Sequence, residues 1–206
     1  MSSARVRRQR PMILASRSPR RLQLLRMVGL RPLVRVPCVD ESPRPRESGR
    51  AVVVRLAESK AMDVARRHPR AFVLAADSLV LVAGQMLGKP SGREDARRML
   101  GLLSGGWHQV VTGVALVRPA RSCLVAISRT RVRFASLTPE EIRRYAAGDE
   151  PYDKAGAYAI QGAAGWFVEE IRGSLSNVIG LPLEEVRRLL AEARFPLPSL
   201  RGPARP

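Results

Sequence analysis

The chain has 206 residues, 45% of them apolar and only 4% aromatic, and it carries a formal net charge of +18. That length supports one substantial core or at most two small ones. Its apolar runs fall short of the ~18 residues a membrane helix needs, and no secretory-type apolar segment follows the arginine-rich start. Two cysteines, Cys38 and Cys123, are too few for a disulfide framework or a metal cluster and point to a reducing cytoplasm.

The charge is unevenly spread. Residues 1–10 contribute four arginines and residues 194–206 three, with no acids in either, leaving +11 for the rest. Both ends are expected to be flexible tails, the first basic and the second rich in proline and arginine, around a folded domain at 11–193. A basic balance of this size favours polyanionic partners, either nucleic acid or phosphorylated small molecules. Of the 36 basic residues only Lys60, Lys89 and Lys154 are lysine. In so arginine-biased a chain, each lysine marks a position that wants a compact, rotatable ammonium.

In chain order, Met12–Ala15 reads as a short strand, and Ser18 then stands as N-cap with Pro19 at the first helical position. Leu22, Leu25 and Val28 supply an apolar stripe and Gly29 a stop. A strand-to-helix junction of this kind presents unpaired N–H groups to an anion, here beside Ser16, Ser18, Arg17, Arg20 and Arg21; an ordinary capped helix with surface arginines has the same pattern. Leu33–Val36 reads as a strand, Cys38–Gly49 as a polar loop, and Arg50–His68 as a helix that stops before Pro69. Ala71–Ala76 is expected to be a buried strand ending at Asp77, with Leu79–Val82 extended up to a turn at Ala83-Gly84. Ser91-Gly-Arg-Glu94 has the form of a capping box opening a helix to Leu103.

Trp107–Val117 and Cys123–Phe134 read as an antiparallel hairpin, Thr138-Pro-Glu-Glu141 as a second capping box opening a helix to Ala147, Trp166–Ile171 as a strand, and Pro182–Ala193 as an amphipathic helix. With no repeat and no linker, the expectation is a single α/β domain whose mixed β-sheet is flanked by helices.

Three further segments gather reactive residue types. In Val73-Leu-Ala-Ala-Asp77-Ser78 a carboxylate at the end of a buried strand stands where it can hold a divalent cation or activate a water. Gly84-Gln-Met-Leu-Gly88-Lys89 is one residue short of a P-loop, has proline where the hydroxyl belongs, and leaves Lys89 as a phosphate contact or a solvated turn lysine. Glu150-Pro-Tyr-Asp-Lys-Ala-Gly-Ala-Tyr-Ala-Ile-Gln-Gly162 suits a site wall, and Gln161 offers a donor and an acceptor to a base edge. His68 and His108 carry no metal spacing and read as structural.

Taken together, Leu14-Ala-Ser-Arg-Ser-Pro-Arg-Arg21, Ala75-Ala-Asp-Ser78, Leu87-Gly-Lys-Pro90, His108-x-Val-x-Thr-Gly-Val114, Glu150-Pro-x-Asp-Lys-Ala-Gly-Ala-Tyr158, Ile160-Gln-Gly162 and Gly173-Ser-x-Ser-Asn-Val178 closely resemble the Maf family of nucleoside triphosphate pyrophosphatases over residues 12–192. The resemblance implies an elongated α/β fold like that of inosine triphosphate pyrophosphatases, commonly dimeric. It also implies a divalent cation, Mg²⁺ or Mn²⁺, and cleavage between the α and β phosphates. By motif match Asp77 is the proton acceptor, and Glu41 helps Asp77 hold the metal. Ser16, Arg20, Arg21, Lys60 and Lys89 handle phosphate. Arg20 and Gln161 resemble the dTTP/UTP branch, whose third specificity position is usually threonine and here is Ser78. The rival reading is a basic nucleic-acid-binding protein working through its arginine-rich tails, although 4% aromatics offers few base-stacking groups.

Overall fold

In the computed structural model, residues 11–42, 44–119 and 122–198 are described. The expected tail at 1–10 and residues 199–206 of the one expected at 194–206 lie outside them. Seven strands form one mixed sheet: β1 (Met12–Ala15), β2 (Leu33–Arg35), β3 (Phe72–Val82), β4 (Gln85–Leu87), β5 (Trp107–Val117), β6 (Cys123–Phe134) and β7 (Val168–Arg172), in the order β2-β1-β3-β5-β6-β7 with β4 beside β3. β1 pairs in parallel with β2 and β3, and the pairs β3–β5, β5–β6 and β6–β7 are antiparallel. Among the described residues six α-helices flank it: α1 (Pro19–Met27), α2 (Gly49–Arg67), α3 (Arg93–Leu103), α4 (Pro139–Ala147), α5 (Leu175–Ile179) and α6 (Leu183–Glu192). No helix among the described residues is long and apolar enough to cross a membrane.

Alternation along the strands sorts the core. Leu14, Leu74 and Leu116 face α1 and α6, while Ile13, Val73 and Ala115 face the Ala57, Ala61 and Val64 stripe of α2. Farther along, Val80, Val110, Val132 and Phe134 pack under α3 and α4. α2 lies unusually close to β5: a Cβ on Gly113 would stand 2.4 Å from the carbonyl oxygen of Val53. Gly113→Ala is therefore expected to push α2 away and cost about 1–3 kcal/mol, read as a fall in urea midpoint. An unchanged midpoint would contradict this seating.

Several elements differ from expectation. β3 does not end at Asp77, because its edge toward β5 pairs without a break from Val73 to Leu81. The capping box at Ser91–Glu94 does not form: the helix starts one residue later, on N-cap Gly92, so Asp95 accepts from the Ser91 N–H at 3.0 Å while Glu94 pairs with Arg97. The box at Thr138 and Glu141 forms as expected. Trp166 belongs not to a strand but to a 3₁₀ turn at Ala163–Phe167, closed by the Gly165 N–H to the Gly162 carbonyl, and the residue is 91% exposed. In the segment expected as a C-terminal tail, Phe195 is buried, edge-on to Phe72 at 5.1 Å.

His108 is structural. It lies buried in an edge-to-face group with Phe134 and Tyr158, its Nε2 2.9 Å from the Tyr158 hydroxyl. Burial pushes its pKa down to about 4 from the usual 6.5. The unfolded chain thus binds this proton near pH 6.5 and the folded chain only near pH 4, so stability is whole above pH 6.5 and is lost as pH falls through that window, by about 3 kcal/mol. In denaturant titrations at falling pH, His108→Gln should lose less stability with acid than the parent. Parallel losses would contradict this assignment.

Candidate active site

The site arises from a gap in the sheet. One edge of β3 is taken by β1 at Phe72–Leu74 and by β4 at Val80–Val82, so no strand covers that edge between them. Asp77 and Ser78 sit in this interval. They point to opposite faces of β3, yet both reach a cleft of about 880 Å³ that wraps the open edge. The β1–α1 junction, the loop after β2, α2, the 153–161 segment and the end of α5 form its walls.

On one face, Lys60 projects from α2 two turns beyond Val53. Its ammonium is almost fully buried, 2.6 Å from Asp77 Oδ1 and 3.0 Å from Glu41 Oε2. Two carboxylates from distant segments therefore converge on one cation. On the other face, Arg21 is half-buried and its fork is spent on the protein: Nε donates to the Gly180 carbonyl (2.8 Å), Nη1 to the Ala76 carbonyl (2.7 Å) and Nη2 to Ser78 Oγ (3.2 Å). It thereby pairs a carbonyl that the missing strand leaves open. Burial pulls its pKa below the ordinary guanidinium value, and the nearby Asp77 charge offsets part of that. Ser78 Oγ also lies 2.9 Å from Thr112 Oγ1.

The β1–α1 junction folds as its residues dictate. Ser18 caps α1 by accepting from the Arg21 N–H, and Ser16 Oγ accepts from the Ser18 N–H at 3.1 Å. On the opposite rim Arg20 pairs with Asp153 at 2.8 Å. Lys154 donates to the Glu150 carbonyl and contacts Asp153. Glu150 ties down the Gln161 loop: its carboxylate accepts from the Ala163 N–H (3.1 Å) and the Tyr145 hydroxyl (2.7 Å), and that hydroxyl accepts from the Ala159 N–H. Burial first, and then the bond to Glu150, raise the Tyr145 pKa well above its usual value, against a smaller lowering by the Ala159 N–H.

The structure brings Ser16, Arg20, Arg21, Glu41, Lys60, Asp77, Ser78, Lys89 and Gln161 to this one cleft, and all three lysines line it. Arg21 differs from expectation in its partners, which are carbonyls and a serine rather than open space. Tyr145, Glu150, Thr112 and Asn177 escaped the sequence reading as supports. Asn177 is buried and donates to the Val110 carbonyl and Thr130 Oγ1, fixing α5 against the sheet. Only its place in the Gly173–Val178 motif hinted at this.

For a metal, Glu41 and Asp77 supply two hard oxygen donors, brought together by their shared contact with the Lys60 ammonium. Among the described residues no group of three or more His, Cys, Asp and Glu converges. That donor set fits Mg²⁺ or Mn²⁺, which use one or two carboxylates and complete their shell with substrate phosphates and water.

The fold is shared with two solved Ham1 proteins. That of Staphylococcus aureus has a TM-score of 0.53 at 14% identity, covering 88% of this chain and 98% of that one; that of Coxiella burnetii has 0.50 at 15%, covering 89% and 100%. The chain itself belongs to the Maf family, whose model for Maf-like proteins matches residues 11–193. It is 51% identical to a protein of Anaeromyxobacter sp. (strain Fw109-5), over 91% of each chain, and 50% identical to one of Myxococcus xanthus (strain DK1622), over 91% of this chain and 94% of that protein. Both relatives are named dTTP/UTP pyrophosphatase.

Proposed function

We propose that this protein hydrolyses dTTP and UTP to the nucleoside monophosphate and pyrophosphate. The observation that carries this reading is the Asp77 carboxylate, fixed by Lys60 at the open edge of β3 and facing a cleft walled by cations. Asp77 accepts the proton of the attacking water. Lys60, Lys89 and Arg20, which line the cleft, would contact the triphosphate oxygens, and their charge is best used as negative charge grows on the departing pyrophosphate. Glu41 and Asp77 would hold a Mg²⁺ or Mn²⁺ ion, which supplies charge neutralisation on the phosphate oxygens when bound.

Selectivity for the base rests on Arg20, held by Asp153, and on Gln161, whose loop the Glu150 network ties down through Ala159 and Ala163. Ser78 keeps the hydroxyl of the usual threonine without its methyl, and that hydroxyl is engaged by Arg21 and Thr112. The two free cysteines suit the cytoplasm, where the nucleotide pool lies. A homodimer is part of this reading, and Met27, Leu33, Val34 and Val36, exposed on and beside edge strand β2, are a surface it would cover.

The test is kcat/KM for dTTP, UTP, CTP and GTP with Mg²⁺ or Mn²⁺. dTTP and UTP should exceed the others by about 10-fold or more, as expected when a pocket reads the base edge. Equal values across the four would contradict the selectivity.

A further inference from the structure

α2 stops covering the sheet at Gly49, above Leu79 and Leu81, but the same sheet face continues past it. There it presents Trp107 and Gln109 on β5, Arg129, Arg131 and Arg133 on β6, and Arg172 on β7. The register aligns Gln109 with Arg131 and Arg172, and Trp107 with Arg133. Alternate residues of β6 thus send three guanidiniums out of one face at steps of about 7 Å. Those of Arg131 and Arg172 lie 4.6 and 4.7 Å from the Trp107 ring centroid. Glu169 and Glu170 pair with Arg133 and Arg172. Arg129 and Arg131 make no ion pair with a described carboxylate. Beside them a hollow of about 630 Å³ opens, lined in part by Leu81, Met86, Trp107, Gln109 and Arg131.

We propose that this uncovered face of β5, β6 and β7 docks single-stranded nucleic acid. The charge is complementary to a phosphate backbone, and unpaired arginine forks match phosphate oxygens. Planar guanidiniums offer stacking faces to unpaired bases, and the hollow beside them, lined in part by the Gln109 side chain, adds a polar contact for one. A lipid surface would want several large exposed apolar side chains, and here there are only Trp107, itself half-buried, and Met86 at the rim of the hollow. An acidic peptide meets the charge but leaves the stacking planes without partners. The surface belongs to the folded body, so it is separable from the arginine tails. It also lies outside the catalytic cleft, with Met86 on the rim of both.

The test is fluorescence anisotropy of labelled oligo(dT) with the full chain, between about 50 and 200 mM salt. Binding is expected in the range of about 10⁻⁶–10⁻⁴ M. The double variant Arg129→Gln, Arg131→Gln should weaken it about tenfold at low salt and flatten the log–log salt slope by about 1.4, while dTTP hydrolysis stays unchanged. The double variant should show the same loss in an Arg5→Ser, Arg7→Ser, Arg8→Ser, Arg10→Ser background. No binding, or a double variant with the parent's affinity and slope, would overturn the proposal. Displacement of the oligonucleotide as effectively by polyglutamate or phosphatidylglycerol vesicles at equal charge would overturn it too, since stacking would then contribute nothing.

Discussion

Arg21→Met is expected to lower the melting temperature by about 6–12 °C, the largest stability loss of any single change in the cleft. The substitution keeps most of the side chain's volume but leaves the Ala76 and Gly180 carbonyls and Ser78 Oγ without their donor. An unpaired buried acceptor costs about 1–3 kcal/mol. Relief from burying a charge offsets part of this, so a net loss of about 3 kcal/mol is expected, worth about 2–4 °C per kcal/mol in a chain of this size. Arg21→Lys should recover little, because one ammonium cannot span three acceptors on β3 and the α5–α6 corner. The KM for dTTP, measured where the variant is still folded, separates two roles. A clamp changes melting far more than KM. A direct phosphate contact would raise KM and leave melting nearly untouched, and that outcome would contradict the geometry.

Asp77→Asn has the largest expected effect on activity. Loss of a general base lowers kcat by about 10²–10⁴-fold. The change is nearly isosteric, and Lys60 keeps Glu41 at 3.0 Å, so far-UV circular dichroism and melting should stay close to those of the parent. Near-normal turnover in a folded variant would remove Asp77 from its assigned role.

The sequence made local features readable. The β1–α1 junction with its Ser18 cap, the β5–β6 hairpin and the Thr138 box all depend on residues a few positions apart, where propensity and capping act. The scarcity of lysine was informative in the same direct way, since Lys60, Lys89 and Lys154 all line the cleft. What could not be read locally was the gap that makes the cleft. Asp77 looks like a strand end because the apolar run stops there, yet β5 holds the strand extended on its other side while β1 falls away. Arg21 looked like a free phosphate ligand, because its partner at Gly180 lies 159 residues farther along the chain. Nor does the alternation of Arg129, Arg131 and Arg133 reveal whether a helix covers them. Strand order and the length of α2 decide that.

The cleft is expected to split a pyrimidine nucleoside triphosphate between its α and β phosphates. The most direct measurement is product analysis after incubation of the full chain with dTTP and Mg²⁺, with pyrophosphate and orthophosphate detected separately. dTMP and pyrophosphate in equal amounts is the expected result. dTDP with orthophosphate, or intact dTTP in the presence of folded protein, would contradict it.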